Sequence, residues 1–204
     1  TCIIGGSKVS TKIGVISNLI KIASNIVVVG AMANNFLAYK KYEIGKSLKE
    51  ENSEGVVEKI LREAEENKCK ILIPEDCLVA ESFEGAAILR DIKSIKKNEI
   101  ILDIGPKTIK IIEKIIDNSN TIMWNGPAGY FESKNFALGT NAIAQKVSEN
   151  TKNRSLTSVL GGGDTVSAIN KSGLDLYFTH LSTAGGAFLE YLEGKDLPGL
   201  SVLK

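Results

Sequence analysis

Short apolar runs alternate with longer segments of helical period along nearly the whole chain. Ile3-Ile4, Asn25 to Val29, Lys70 to Ile73, Glu99 to Ile104, Asn120 to Trp124, Ser155 to Leu160 and Tyr177 to His180 read as strands. Ile26-Val27-Val28-Val29 is apolar throughout, as a strand covered on both faces of a parallel sheet would be. Between the runs, apolar residues recur every three or four positions. Ile13, Ile16, Leu19, Ile20 and Ala23 outline one helix, and Ala31 to Ala38 a shorter one. Ser53 to Asn67 is a charged amphipathic helix with Val56, Val57, Ile60, Leu61 and Ala64 inward. Pro106 suits a first helical turn, and Ile109, Ile112, Ile115 and Ile116 supply that helix with an inner face. Asn135 to Glu149, the stretch through Ala168 and Ile169, and the stretch from Phe188 to Leu192 complete the set.

Strand–helix alternation of this kind calls for a parallel sheet with helices on both faces, an α/β, Rossmann-like three-layer sandwich. Residues 76–95 break the pattern with Leu78-Val79-Ala80 and Ile88-Leu89, which predict a small antiparallel excursion. One domain over residues 1–204 accommodates the whole pattern. In such sheets a ligand lies at the carboxyl ends of the strands. Five glycine turns follow predicted strands: Gly5-Gly6, Gly30, Gly126 to Gly129, Gly161 to Gly163 and Gly185-Gly186. All five can therefore share one edge.

Composition narrows the chemistry. Hydrophobic content is 43% and charged content 24%, ordinary for a globular protein. A net charge of +1 gives no bias toward nucleic acid or a membrane surface. Cys2, Cys69 and Cys77 have no metal-type spacing, and their odd number argues against a disulfide framework. His180 is the single histidine, so a His/Cys zinc site or a Ser-His-Asp triad has little to build from. No apolar run reaches membrane-spanning length. The expectation is a reducing, cytoplasmic location and, with nothing demanding an oligomer, a monomer. The chain starts without Met and passes almost at once into Ile3-Ile4, like a strand with its beginning cut off. A fragment of a longer protein is expected.

The turn Leu160-Gly161-Gly162-Gly163-Asp164-Thr165 lies between a strand and a helix, where free backbone N–H groups can meet an anion. Two readings fit Asp164: an ordinary helix N-cap, or a ligand for Mg²⁺ set between the carboxylate and a phosphate. Lys8 and Lys12, four apart after Gly5-Gly6, would share a helix face. They are either two solvated lysines or a pair that holds an anion. No G-x-x-x-x-G-K-[ST] motif occurs. With Lys8, Lys12, Asp164 and Glu132 among the turns, a nucleotide site is the favoured reading.

At these residues the chain resembles the C-terminal, nucleotide-binding domain of the phosphoglycerate kinase family. The matching stretches are Gly5-Gly6-Ser7-Lys8-Val9-Ser10-Thr11-Lys12, Asp103-Ile104-Gly105-Pro106, Trp124 to Glu132, Gly161 to Thr165 and Leu192 to Gly199, in that order. The resemblance covers essentially the whole chain. It implies ATP or ADP as substrate, Mg²⁺ held by Asp164, and the family's glycolytic phosphoryl transfer between 1,3-bisphosphoglycerate and ADP. By the same resemblance Lys8 would stabilise the phosphoryl group in transfer, and Lys12, with Gly6 and Ser7 in the same loop, would hold the nucleotide phosphates. Amides at Gly162, Gly163 and Thr165 would bind phosphate. Asn125 would face the phosphate chain, Glu132 the ribose hydroxyls beyond Gly129, and Gly30, Ile101 and Leu102 the base. The helix starts at Gly163 and Gly186 would aim at the transferring group.

Two positions depart from the pattern. Ala31 and Ala184 stand where the family often has glycine, which predicts a tuned site rather than a lost one. The family's 3-phosphoglycerate site lies on an N-terminal domain that is not part of this sequence. The chain alone is therefore expected to bind nucleotide without turnover. A stand-alone nucleotide-binding module and a non-enzymatic α/β interaction domain are the competing readings.

Overall fold

In this computed structural model, which describes residues 1–174 and 176–202, the apolar runs form two sheets. In chain order the elements are β1 (Cys2–Ile4), α1 (Ile13–Ile20), β2 (Asn25–Val28), α2 (Met32–Tyr39), α3 (Glu54–Glu66) and β3 (Lys70–Leu72). Then come β4 (Asp76–Ala80), β5 (Ile88–Asp91), β6 (Ile100–Ile104), α4 (Pro106–Asp117), β7 (Thr121–Asn125) and α5 (Leu138–Asn153). The last are β8 (Thr157–Gly161), α6 (Gly163–Ser172), β9 (His180–Ser182), α7 (Gly185–Leu192) and α8 (Pro198–Ser201).

The larger sheet has six strands in the order β3-β2-β1-β7-β8-β9, and every pairing is parallel. Both of its faces are covered, as the apolar runs require. Ile4, Ile26 and Val28 face a core shared with Ile16, Met32 and Ile60 of α1, α2 and α3. Ile3, Val27 and Trp124 face the opposite core, shared with Ile112 of α4, Ile143 of α5 and Ile169 of α6. The three-layer α/β expectation is met.

Helix α3 shows how the pattern produces the packing. Val57, Ile60 and Ala64 are buried on one face, while all of its charged residues except the half-buried Glu63 are exposed. Lys59–Glu63 and Arg62–Glu66 are surface pairs on the helix, which are worth little individually.

The antiparallel excursion is larger than the sequence suggests. β4 pairs antiparallel with both β5 and β6, giving a three-stranded sheet that reaches residue 104. β6 looks locally like its parallel counterparts, being apolar and followed by a helix. Its neighbour decides its sheet. This small sheet also caps two helices. The Asp76 carboxylate accepts the N–H groups of Lys107 and Thr108 at 2.9 and 2.8 Å, at the start of α4. The Asp103 carboxylate accepts the Gly139 N–H at 2.9 Å, at the start of α5. A remote carboxylate thus does what an N-cap residue usually does.

Several details differ from the sequence expectation. The last strand is His180–Ser182 rather than 177–180. The N–H groups of Tyr177 and Thr179 go instead to the hydroxyls of Ser148 (2.8 Å) and Ser158 (3.0 Å), so the ladder starts only at His180. Helix α5 begins at Leu138, after a tight turn over Lys134–Phe136. Lys8 and Lys12 do not share a helix face. Helical structure starts with the short 3₁₀ turn Ser10–Lys12, so Lys8 lies in the loop before it.

Candidate functional site

The strand order reverses between β1 and β7, the place where an open α/β sheet leaves a crevice at its carboxyl edge. The turns after these two strands meet there. Gly5 N–H donates to Asn125 O at 2.8 Å, Met32 N–H to Gly6 O at 2.7 Å, and Gly30 N–H to Ala128 O at 3.1 Å. A Cβ on Gly126 would lie 2.5 Å from the Gly5 carbonyl, and Gly126 has φ +93°. Glycine is required here because two backbones touch.

The glycine turn after β8 is fastened to this junction from the other side. The Asn125 Nδ2 donates to Gly161 O at 2.6 Å, and the Thr165 hydroxyl donates to the same oxygen at 2.9 Å. The Gly126 N–H in turn donates to Thr165 Oγ1 at 2.7 Å. Gly162 enters α6 with φ +103°, and a Cβ there would lie 2.6 Å from Asn125 Nδ2. At this helix end the Val166 N–H donates to Gly162 O at 3.0 Å. No side chain caps α6 among the described residues, so the N–H groups of its first turn remain for another acceptor. Asp164 is an exposed residue of that first turn, and not the N-cap, which is Gly162.

Lys12 joins the same network from below. Its Nζ donates to Gly5 O and to Asn125 Oδ1, each at 2.5 Å. Burial pushes the amine down to about 8, and the Asp164 charge works in the opposite direction. The Asn125 carboxamide is spent on Lys12 and Gly161, and the residue is 3% exposed. Lys8 is exposed in its loop, where its carbonyl accepts the Thr11 hydroxyl at 3.0 Å. Glu50 lies nearby. Its carboxylate is held below the usual range chiefly by hydrogen bonds from Ser10, with Lys8 contributing.

A cavity of about 430 Å³ opens beside this junction. Of the residues singled out from the sequence, Gly6, Ser7, Gly30, Ile101, Leu102, Gly129, Glu132 and Asp164 line it. Lys8, Lys12, Asn125, Gly162, Gly163, Thr165 and Gly186 lie outside its lining. A Cβ on Gly163 or Gly186 would meet nothing within 4 Å, so the space before both helix starts is open. Ala31 lines the cavity with φ −63°, and Ala184 has φ −76°, so neither methyl strains its turn.

Sequence reasoning missed part of the cavity wall. Leu48, Phe83 and Tyr130 line it, and the Phe83 and Tyr130 rings meet edge-on with centroids 5.2 Å apart. Both rings are partly exposed, an apolar rim that suits a flat ligand. The available signal was Phe83 itself, a lone large apolar residue in Glu81-Ser82-Phe83-Glu84-Gly85. Asp103 also lines the cavity. Its buried carboxyl is pushed up to about 7, against the N–H groups of Gly139, Ile104 and Leu138.

Comparison with known proteins places this arrangement. The phosphoglycerate kinase family model matches residues 1–195. The chain belongs to the phosphoglycerate kinase family. The phosphoglycerate kinase of Wolbachia pipientis wMel is 46% identical over 206 residues, which cover 100% of this chain and 52% of that protein. That of Rhizobium leguminosarum bv. trifolii is 45% identical, covering 98% of this chain and 51% of its own length. The structure of phosphoglycerate kinase from Coxiella burnetii aligns with a TM-score of 0.93 at 40% identity, over 99% of this chain and 51% of that one. The enzyme from Pyrococcus horikoshii aligns at 0.81 with 30% identity. The chain thus spans about half the length of the phosphoglycerate kinases it matches.

Proposed function

We propose that residues 1–204 form the ATP/ADP-binding domain of a phosphoglycerate kinase. The complete enzyme would move a phosphoryl group reversibly from 1,3-bisphosphoglycerate to ADP, giving 3-phosphoglycerate and ATP. One observation carries this reading within the family. An uncapped helix start bearing Asp164 stands at the end of a largely apolar cavity, on the carboxyl edge of the sheet. Phosphates at the helix start and a base in the cavity use both features.

The residues take these roles. Backbone N–H groups at Gly162, Gly163 and Thr165 receive phosphate oxygens. Lys12 supplies charge beneath them while it braces Gly5 and Asn125. Lys8, free to reach into the open space, meets the phosphoryl group in transfer. Glu132 takes the ribose hydroxyls, and Gly30, Ile101 and Leu102 the base. The helix starts at Gly163 and Gly186 add positive potential where charge develops in the transition state.

Asp164 is the residue that fits Mg²⁺. Among the described residues no cluster of three or more His, Cys, Asp or Glu side chains could form a protein cage for a metal. Mg²⁺ characteristically needs only one or two carboxylates beside substrate phosphates and water. When bound it would neutralise phosphate charge.

The triose substrate needs a basic surface, expected on a further N-terminal domain. The three arginines here do not supply one. Arg62 lies beside Glu66, Arg90 is held by Glu99, and Arg154 by Asp117. Positioning both reactants can account for roughly 7–11 kcal/mol of a barrier. This chain alone should therefore bind nucleotide and not turn over.

Calorimetry with ADP, with and without Mg²⁺, tests the reading on this chain and on Asp164→Ala. Binding that tightens with Mg²⁺ in the parent chain only is expected. Equal affinity in all four conditions would remove Asp164 from the metal site, and no binding would refute the nucleotide reading. A coupled assay should find 3-phosphoglycerate-dependent ATP use near background until the missing half is added.

A further inference from the structure

Three helix starts in this chain have no side-chain cap of their own and are held by a carboxylate from another element. Asp76 and Asp103 do this for α4 and α5, and both are buried. Glu50 is the third. It holds the 3₁₀ turn Ser10–Lys12, which runs directly into α1. Glu50 Oε2 accepts the Ser10 N–H at 3.0 Å, and Oε1 accepts the Ser10 hydroxyl. Unlike the other two, Glu50 is only half-buried, and it has the charge of Lys8 beside it.

The clamp has a rigid base. Asn35 of α2, 2% exposed, accepts the Glu50 N–H and the Ser53 hydroxyl on Oδ1, each at 2.9 Å. Its neighbour Asn34 donates from Nδ2 to Leu48 O at 2.9 Å. The backbone of residues 48–50 is thus fastened to α2 without help from the Glu50 side chain. Removing the carboxylate should leave that backbone in place.

The gripped segment is short and otherwise free. Among the described residues, only Glu50 makes side-chain hydrogen bonds to residues 8–11 from elsewhere in the chain. Val9 is fully buried, and the Thr11 hydroxyl donates back to Lys8 O at 3.0 Å. The backbone at Lys8 is therefore held between a core residue and the Ser10 clamp, while Lys8 itself is exposed. Among the described residues Lys8 makes no ion pair, although a carboxylate is close by. Each Glu50 oxygen already accepts a hydrogen bond from Ser10. Those donors compete with the ammonium for the carboxylate lone pairs.

We propose that Glu50 and Ser10 position Lys8 for phosphoryl transfer: they fix the turn that carries the lysine and leave its ammonium unpaired. This rests on the reading above of Lys8 as the residue that meets the phosphoryl group. Position counts in such a reaction, because a misplacement of about 1 Å can cost about a hundredfold in rate. Neither Glu50 nor Ser10 needs to touch the nucleotide for this.

Steady-state kinetics of a complete phosphoglycerate kinase carrying this domain test the proposal. Glu50→Ala should lower kcat by about tenfold or more and change KM for ADP by about twofold or less. Ser10→Ala should lower kcat in the same direction by less, since the Ser10 N–H bond survives. In a Lys8→Ala background neither change should lower kcat further, because the group they position is gone. A merely structural role would cost activity with or without Lys8. Circular dichroism melting checks folding, and Ser10→Ala, which removes one exposed hydroxyl, decides the matter if Glu50→Ala does not fold. An unchanged kcat in these variants, or an equal loss with and without Lys8, overturns the positioning role and leaves the reading of Lys8 standing. If Lys8→Ala itself leaves kcat unchanged, the reading of Lys8 falls and the positioning role falls with it.

Discussion

Raising the pH from 7 to 9 should switch off the charge of Lys12 and weaken nucleotide binding. Lys12 is buried between Gly5 O and Asn125 Oδ1, and burial pushes its amine down to about 8. The free chain is then about nine-tenths protonated at this amine at pH 7 and about one-tenth at pH 9. A phosphate seated nearby favours the charged form and raises the amine again. Binding must therefore take up a proton above pH 8, and affinity must fall. For a bound amine that stays protonated, the loss from pH 7 to pH 9 is about tenfold. The free chain should respond with the opposite sign. A lowered lysine penalises the fold while it is charged, so the penalty is full below about 8 and is relieved toward 10.5. Stability should rise over the window in which affinity falls. Calorimetry of ADP binding, repeated in buffers of different ionisation enthalpy, reads both affinity and proton uptake. Lys12→Arg keeps its charge throughout and should flatten the profile. Affinity independent of pH in the parent chain, with no proton uptake, would refute the reasoning.

Two further predictions concern other residues. If Lys8 acts on the phosphoryl group in transfer, Lys8→Ala in a complete enzyme should lower kcat by about a hundredfold or more, and raise KM for nucleotide by less. Steady-state kinetics decide it, and an unchanged kcat with a raised KM would make Lys8 a plain binding residue. Burial pushes the Asp103 carboxyl from 3.8 up to about 7, so its contribution to stability is full below about 4 and is lost as pH rises to 7. The swing is at most about 4 kcal/mol, from 3.2 × 1.36. Urea melts at several pH values should show this slope in the parent chain and not in Asp103→Asn; equal slopes would remove Asp103 as its source.

The parallel sheet was legible because its strands carry apolar residues toward both layers, as Ile3-Ile4 and Ile26-Val27-Val28 do. What the sequence hid was decided by distant partners. Residues 177–179 have the apolar character of a strand, but serine hydroxyls from α5 and β8 take two of their N–H groups. β6 carries the same local signal as a parallel strand, and only its pairing with β4 assigns it to the small sheet. The spacing of Lys8 and Lys12 implied a shared face only if the helix already ran through both, and it starts later. At the site, the glycine turns and Asp164 stood out as motifs. Phe83 and Leu48 did not, because each becomes part of the cavity only when β4, α2 and the loop before Phe131 are brought together.

The glycines themselves carry two different messages that one letter cannot separate. At Gly126 a side chain would strike the Gly5 backbone, so that glycine serves the junction between two turns. At Gly163, Gly185 and Gly186 a Cβ would meet nothing within 4 Å. Packing does not explain these three. Gly185 has φ +48°, which gives it a conformational reason, but Gly163 and Gly186 have no such constraint. An alanine at either would fit the folded chain and, by the helix scale, favour it by up to about 1 kcal/mol in a helix interior. The bare backbone at these two helix starts is therefore better explained by what approaches from outside. Under the proposed function, that is the phosphoryl group and its oxygens, which need the N–H groups unobstructed.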